Sequence, residues 1–122
     1  MLKSYKELAV WQQAYGLCLD VYRATACFPD GEKYGLTAQL RRAAVSVPSN
    51  IAEGYGRRTT GEYLQLLHVA YASLCELETQ LLLASDLGFL KPEGSPLAGK
   101  LGDVERPLKA LIASLARKDS LT

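Results

Sequence analysis

From Tyr63 to Ala84 the apolar residues fall at Tyr63, Leu67, Ala70, Leu74, Leu77, Leu81 and Ala84, in alternating steps of four and three. That rhythm keeps every one of them on a single face of an α-helix, and it is the seam of helix-on-helix packing. A strand would instead alternate every second residue, and no sustained alternation of that kind occurs in the chain. Thr59 with Glu62 three residues later forms an N-cap with an acid near the positive end of the helix dipole. Gly88 supplies a stop. The pattern therefore predicts a helix over about 60–87, and a helix this long with one apolar face needs partners to cover it.

The rest of the chain supplies three partners. Leu97, Leu101, Val104, Leu108, Leu111 and Leu115 repeat the rhythm and predict a helix over about 96–118, with Ser95 as cap, Pro96 at its first position and a kink near Asp103 to Arg106, ahead of Pro107. Upstream, Leu36, Leu40, Ala43, Ala44, Val47 and Ile51 predict a helix over about 34–56. Pro48 lies inside it, where proline removes a hydrogen bond and crowds the Ala44 carbonyl. The stripes on either side keep their phase, so the expectation is a bend rather than a break, with Gly54 and Gly56 ending the helix. The first helix, about 5–27, carries two apolar stripes: Leu8, Trp11, Tyr15, Cys18 and Tyr22 on one, Val10, Ala14, Leu17, Val21 and Ala24 on the other. Phe28-Pro29-Asp30-Gly31 turns the chain after it. Four helices with short connections in one domain of 122 residues predict an all-α, antiparallel up-down-up-down four-helix bundle with a kinked second helix. The surplus apolar residues Val10, Leu17, Val21, Leu66 and Val69 are the candidates for an oligomer interface.

Charge is balanced overall, at a net +1, so no global field draws the protein to nucleic acid. Locally it is divided. Residues 31–58 hold Lys33, Arg41, Arg42, Arg57 and Arg58 against Glu32 and Glu53, whereas residues 59–88 hold Glu62, Glu76, Glu78 and Asp86 with no Lys or Arg. Segments of opposite sign suggest pairing, within a chain or between copies. Cys18, Cys27 and Cys75 lack metal-site spacing and read as free thiols, which points to a reducing, cytoplasmic compartment. The first residues have no uninterrupted apolar core of a signal peptide, and no stretch reaches the length of a membrane span.

One flank of the second helix is polar from end to end: Gln39, Arg42, Ser46, Ser49, Asn50 and Glu53. Three readings stay open for it. It is a solvated face; or a structural flank that satisfies backbone around Pro48 and bonds to Glu76 or Glu78 on the third helix; or part of a nucleic-acid surface on which Arg41, Arg42, Arg57 and Arg58 face phosphates. Tyr55 and Tyr34 lie beside those arginines and are the candidates for base stacking. No enzyme is expected. His68 is the single histidine, no serine has a base near it in sequence, and no Glu-x-x-His pair or glycine-rich phosphate loop occurs. Neither a cofactor nor a metal is called for.

The run Gly35-Leu36-Thr37-Ala38-Gln39-Leu40-Arg41-Arg42-Ala43-Ala44-Val45-Ser46-Val47-Pro48-Ser49-Asn50-Ile51-Ala52-Glu53-Gly54 resembles the hallmark of a bacterial four-helix-bundle family. That family includes the proteins encoded in intervening sequences of large-subunit rRNA genes, and the accessory variability proteins of diversity-generating retroelements are similar. Leu8 to Gln12, Phe28-Pro29, Ala70 and Ser73 to Leu81 support the resemblance, which covers about residues 5–90. It implies a homopentameric, barrel-like ring. For the retroelement branch it implies a basic surface that binds RNA or DNA and a partner reverse transcriptase; for most members it implies no established activity. The net charge of +1 sets this chain apart from the strongly basic branch.

Overall fold

A computed structural model describes residues 2–91 and 96–121. Among them are four long helices and no strand: α1 (Ala9–Thr25), α2 (Leu36–Tyr55), α3 (Thr60–Asp86) and α4 (Leu97–Ser120). Each packs on the next, α2 most extensively on α3, and α4 returns to α1, so the four enclose one core.

The helix ends follow local chemistry. α1 begins later than periodicity suggests, because Tyr5–Glu7 forms a separate 3-10 turn, capped by the Ser4 hydroxyl, and Leu8 is extended. At the other end Thr25 Oγ1 donates to the Val21 and Tyr22 carbonyls. Phe28 is buried beyond it, with its ring 5.7 Å from that of Phe89. For α3, the Thr59 hydroxyl accepts from the Glu62 N–H at 3.1 Å, as the sequence suggests. Gly88 follows the helix with φ of 81°, a conformation that side chains resist. α4 runs through Pro107 and continues to Ser120, past the expected end at 118. Ser95, expected to cap it, lies outside the described residues.

α2 runs through Pro48 without interruption, and the proline itself is buried. Gly54 has a different role from the stop expected of it. It lies within the helix, where an added Cβ would stand 2.9 Å from Tyr63 Cδ1 and 3.2 Å from Leu66 Cβ. The glycine is what lets α2 and α3 approach there. Gly56 is the C-cap.

The core takes Leu40, Val47 and Ile51 from α2, the expected Leu67 to Ala84 stripe from α3, and Leu97, Leu101, Val104 and Leu108 from α4. On α1 the assignment of the two stripes needs correction. Val10, Ala14, Leu17 and Val21 face inward and are nearly inaccessible, while Tyr15 is 49% exposed and Tyr22 41%. Val10, Leu17 and Val21 therefore belong to the subunit's own core and cannot form an interface. The reason is chemical: aliphatic side chains have no polar end, whereas Trp and Tyr tolerate a half-wet position. Leu66 is half-buried against the Gly54 side of α2, and only Val69 of the five interface candidates stands open. Asp20 of α1 pairs with Lys100 of α4 across the closing contact.

Candidate nucleic-acid interface

The polar flank of α2 separates into a seam and a surface. In the seam, Ser46 Oγ and Ser73 Oγ share a hydrogen bond of 2.7 Å, and Asn50 Nδ2 donates to the Ser46 carbonyl at 2.8 Å and to Ser46 Oγ at 3.0 Å. One end is closed by a longer contact, Gln80 Nε2 to Gln39 Oε1 at 3.4 Å. The partners on α3 are thus Ser73 and Gln80, and the expected bonds to Glu76 or Glu78 do not form; both glutamates are exposed. Ser73 and Gln80 are seven apart, as are Gln39 and Ser46, so each pair lies along one line of its helix. Register along the two helices, rather than charge, selects the partners. Asn50 also binds at Ser46 rather than at the Ala44 carbonyl opposite Pro48.

The basic candidates divide in the same way. Arg41 is committed inside the subunit: its Nε donates to Thr25 Oγ1 at 2.9 Å, its Nη2 to the Tyr22 carbonyl at 3.3 Å, and its guanidinium lies 4.6 Å from the Tyr22 ring centroid. A cation at the carbonyl end of α1, lying on an aromatic face, is a clamp between α1 and α2. Arg57 is paired with Glu53 at 2.7 Å on the surface. The Tyr55 hydroxyl donates to the Leu2 carbonyl at 3.4 Å and its ring stands perpendicular to that of Tyr63, so the side chain is engaged within the subunit.

What remains open is Arg42 and Arg58, both exposed and outside every ion pair among the described residues, together with Tyr34, which is 87% exposed. The Lys33 ammonium stands 5.5 Å from the Tyr34 ring centroid, so a cation and an aromatic face sit together before α2. Arg42 stands about 20 Å of helical rise before the end of α2 at Tyr55, and Arg58 lies three residues past that end. Ser49 is exposed beside this face. Two cations so placed can reach different phosphates of one nucleic acid but cannot clamp a single small anion.

Other groups follow from burial. Burial holds the Cys18 thiol above its ordinary pKa, whereas Cys27 and Cys75 are exposed. Since the thiolate is the reactive form, Cys27 and Cys75 should be alkylated first by iodoacetamide, with Cys18 following at least several-fold more slowly. Mass-spectrometric time courses check this; equal rates for all three would place Cys18 at the surface. Burial, with the Tyr55 hydroxyl nearby, likewise raises the pKa of Tyr63. Among the described residues no group of three or more His, Cys, Asp or Glu could hold a metal ion, and no helix is long and apolar enough to cross a membrane.

In comparison with known proteins, a family model described as 23S rRNA-intervening sequence protein matches residues 6–109. No curated protein matches the chain.

Proposed function

The chain belongs to the 23S rRNA-intervening sequence protein family, and from that premise we propose that it is a cytoplasmic, non-enzymatic RNA-binding scaffold acting as a homo-oligomer. In this reading the helices run up-down-up-down, α2 bends at Pro48, and the copies close into a ring, five by the family resemblance. The observation that carries the reading is the pair of unpartnered arginines, Arg42 and Arg58, with Tyr34 exposed at the Arg42 end. A ring would repeat them once per copy. Several weak phosphate contacts then add up along one RNA, as binding through linked sites does.

The test separates the free arginines from the committed one. Arg42→Gln/Arg58→Gln should weaken binding to a structured RNA by about tenfold or more near 50 mM salt while leaving thermal stability unchanged. Arg41→Gln should do the reverse, lowering the melting temperature and sparing affinity. Fluorescence anisotropy with structured RNA and with duplex DNA reads the first effect, and thermal denaturation the second. Absence of binding to either nucleic acid would favour the other reading, a structural adaptor without nucleic-acid affinity. The engagement of Arg41, Arg57 and Tyr55 within the subunit would be the observation that favours it.

A further inference from the structure

Two outward faces of the subunit carry exposed apolar side chains, and their charges are opposite. On α3 the residues Glu62, Val69, Glu76 and Leu83 recur every seven positions, which places them along one line of the helix. All four are exposed, Val69 to 42% and Leu83 to 50%. The line alternates acid and aliphatic at intervals of about 10 Å. No Lys or Arg occurs anywhere in α3, and none of its acids joins an ion pair among the described residues.

The second face is the groove between α1 and α2, a cavity of about 340 Å³ lined by Trp11, Tyr15, Leu19, Val45 and Pro48 among others. Tyr22 continues its aromatic stripe, and the Arg41 guanidinium, which joins no ion pair among the described residues, lies on the Tyr22 ring. The Glu53 carboxylate on this side of α2 is already neutralised by Arg57. This face is therefore apolar and net positive, and it presents a concavity. The α3 line is apolar and negative, and it presents a ridge.

We propose that the Glu62-Val69-Glu76-Leu83 ridge of one copy seats in the α1–α2 groove of the next. Shape and charge are complementary, and each apolar side chain left open on one face gains a partner on the other. The two faces differ, so the contact is head-to-tail and every copy uses both, which generates a ring or a filament rather than a two-fold dimer. The proposal rests on the homo-oligomer reading and specifies its interface.

The experiment uses two variants that each disable one face, Leu19→Glu/Val45→Glu in the groove and Val69→Glu/Leu83→Glu on the ridge. Circular dichroism checks that both remain helical, and Leu19→Ser/Val45→Ser with Val69→Ser/Leu83→Ser provide milder forms if they do not. By light scattering after size exclusion, wild type should be a multimer and each variant should have the mass of one 13.3 kDa chain. Mixed in equal amounts, the two variants should give a species of twice that mass and nothing larger. Only the intact ridge of the first and the intact groove of the second can meet, while the two altered faces repel. Helical variants that assemble as wild type does, or a mixture that stays monomeric, would overturn this pairing and leave oligomerisation itself standing. A monomeric wild type would overturn both.

Discussion

Leu17→Ala is expected to lower the free energy of unfolding by about 2–5 kcal/mol, the range for deleting a buried leucine side chain when the cavity cannot collapse. Leu17 is 2% exposed and sits in the middle of α1, with Ala14 and Val21 one turn away on the same inward face. Its neighbour two positions back should behave differently. Tyr15 is 49% exposed, and its main intramolecular contact is a stacked arrangement with Trp11, the centroids 5.0 Å apart. Such a pair contributes about 0.5–1.5 kcal/mol beyond its area, so Tyr15→Ala should cost about 1 kcal/mol in an isolated subunit. Urea denaturation of dilute protein, where copies are apart, measures both as shifts of the midpoint at constant slope. A larger loss for Tyr15 than for Leu17 would turn α1 around and return the aromatic stripe to the core.

Gly54→Leu should be more damaging still to the α2–α3 contact. Even a methyl group there meets Tyr63 Cδ1 at 2.9 Å, Leu66 Cβ at 3.2 Å and the Tyr63 carbonyl oxygen at 3.3 Å. The tyrosine ring can swing aside, but a Cβ and a carbonyl belong to the body of α3 and move only with the helix. For Gly54→Ala the gain in helix propensity, about 1 kcal/mol, partly offsets an overpacking cost of about 1–3 kcal/mol, leaving a modest loss. Leucine has the same offset with three more carbons to place, so a loss of about 3 kcal/mol or more is expected. In thermal unfolding that is a fall of about 10 °C or more for a domain of this size. A leucine variant as stable as wild type would mean that Gly54 only ends the helix, as its place before Gly56 suggests from sequence alone.

The same residues show how far the sequence reaches. The α3 stripe and the Thr59 cap are read correctly because one apolar line, one polar surround and one start signal agree there. α1 is harder, since both its stripes have helical period and periodicity says nothing about which one faces inward. That choice depends on the partner helices and on the tolerance of Trp and Tyr for a half-exposed position. Gly54 carries the signal of a helix stop, and its packing role becomes visible only when α3 is laid across it. At the seam, sequence identified Gln39, Ser46 and Asn50 but not their partners. Charge pointed to Glu76 and Glu78, while register brings Ser73 and Gln80 across. Arg41 and Arg42 are indistinguishable in sequence, yet helical geometry turns one onto Tyr22 and the other to solvent.

That last distinction leads to the most direct test of the proposed role. A single subunit offers two unpartnered arginines on this face, so a monomer bound to RNA through them would show a slope of log affinity against log salt no steeper than about −2. A homo-oligomer that repeats Arg42 and Arg58 around one RNA neutralises several times as many phosphates. Anisotropy titrations of wild type with a structured RNA, between about 50 and 200 mM salt, should therefore give a slope well beyond −2. No binding at the lowest salt, or a slope that stays at −2 or shallower, would contradict the account.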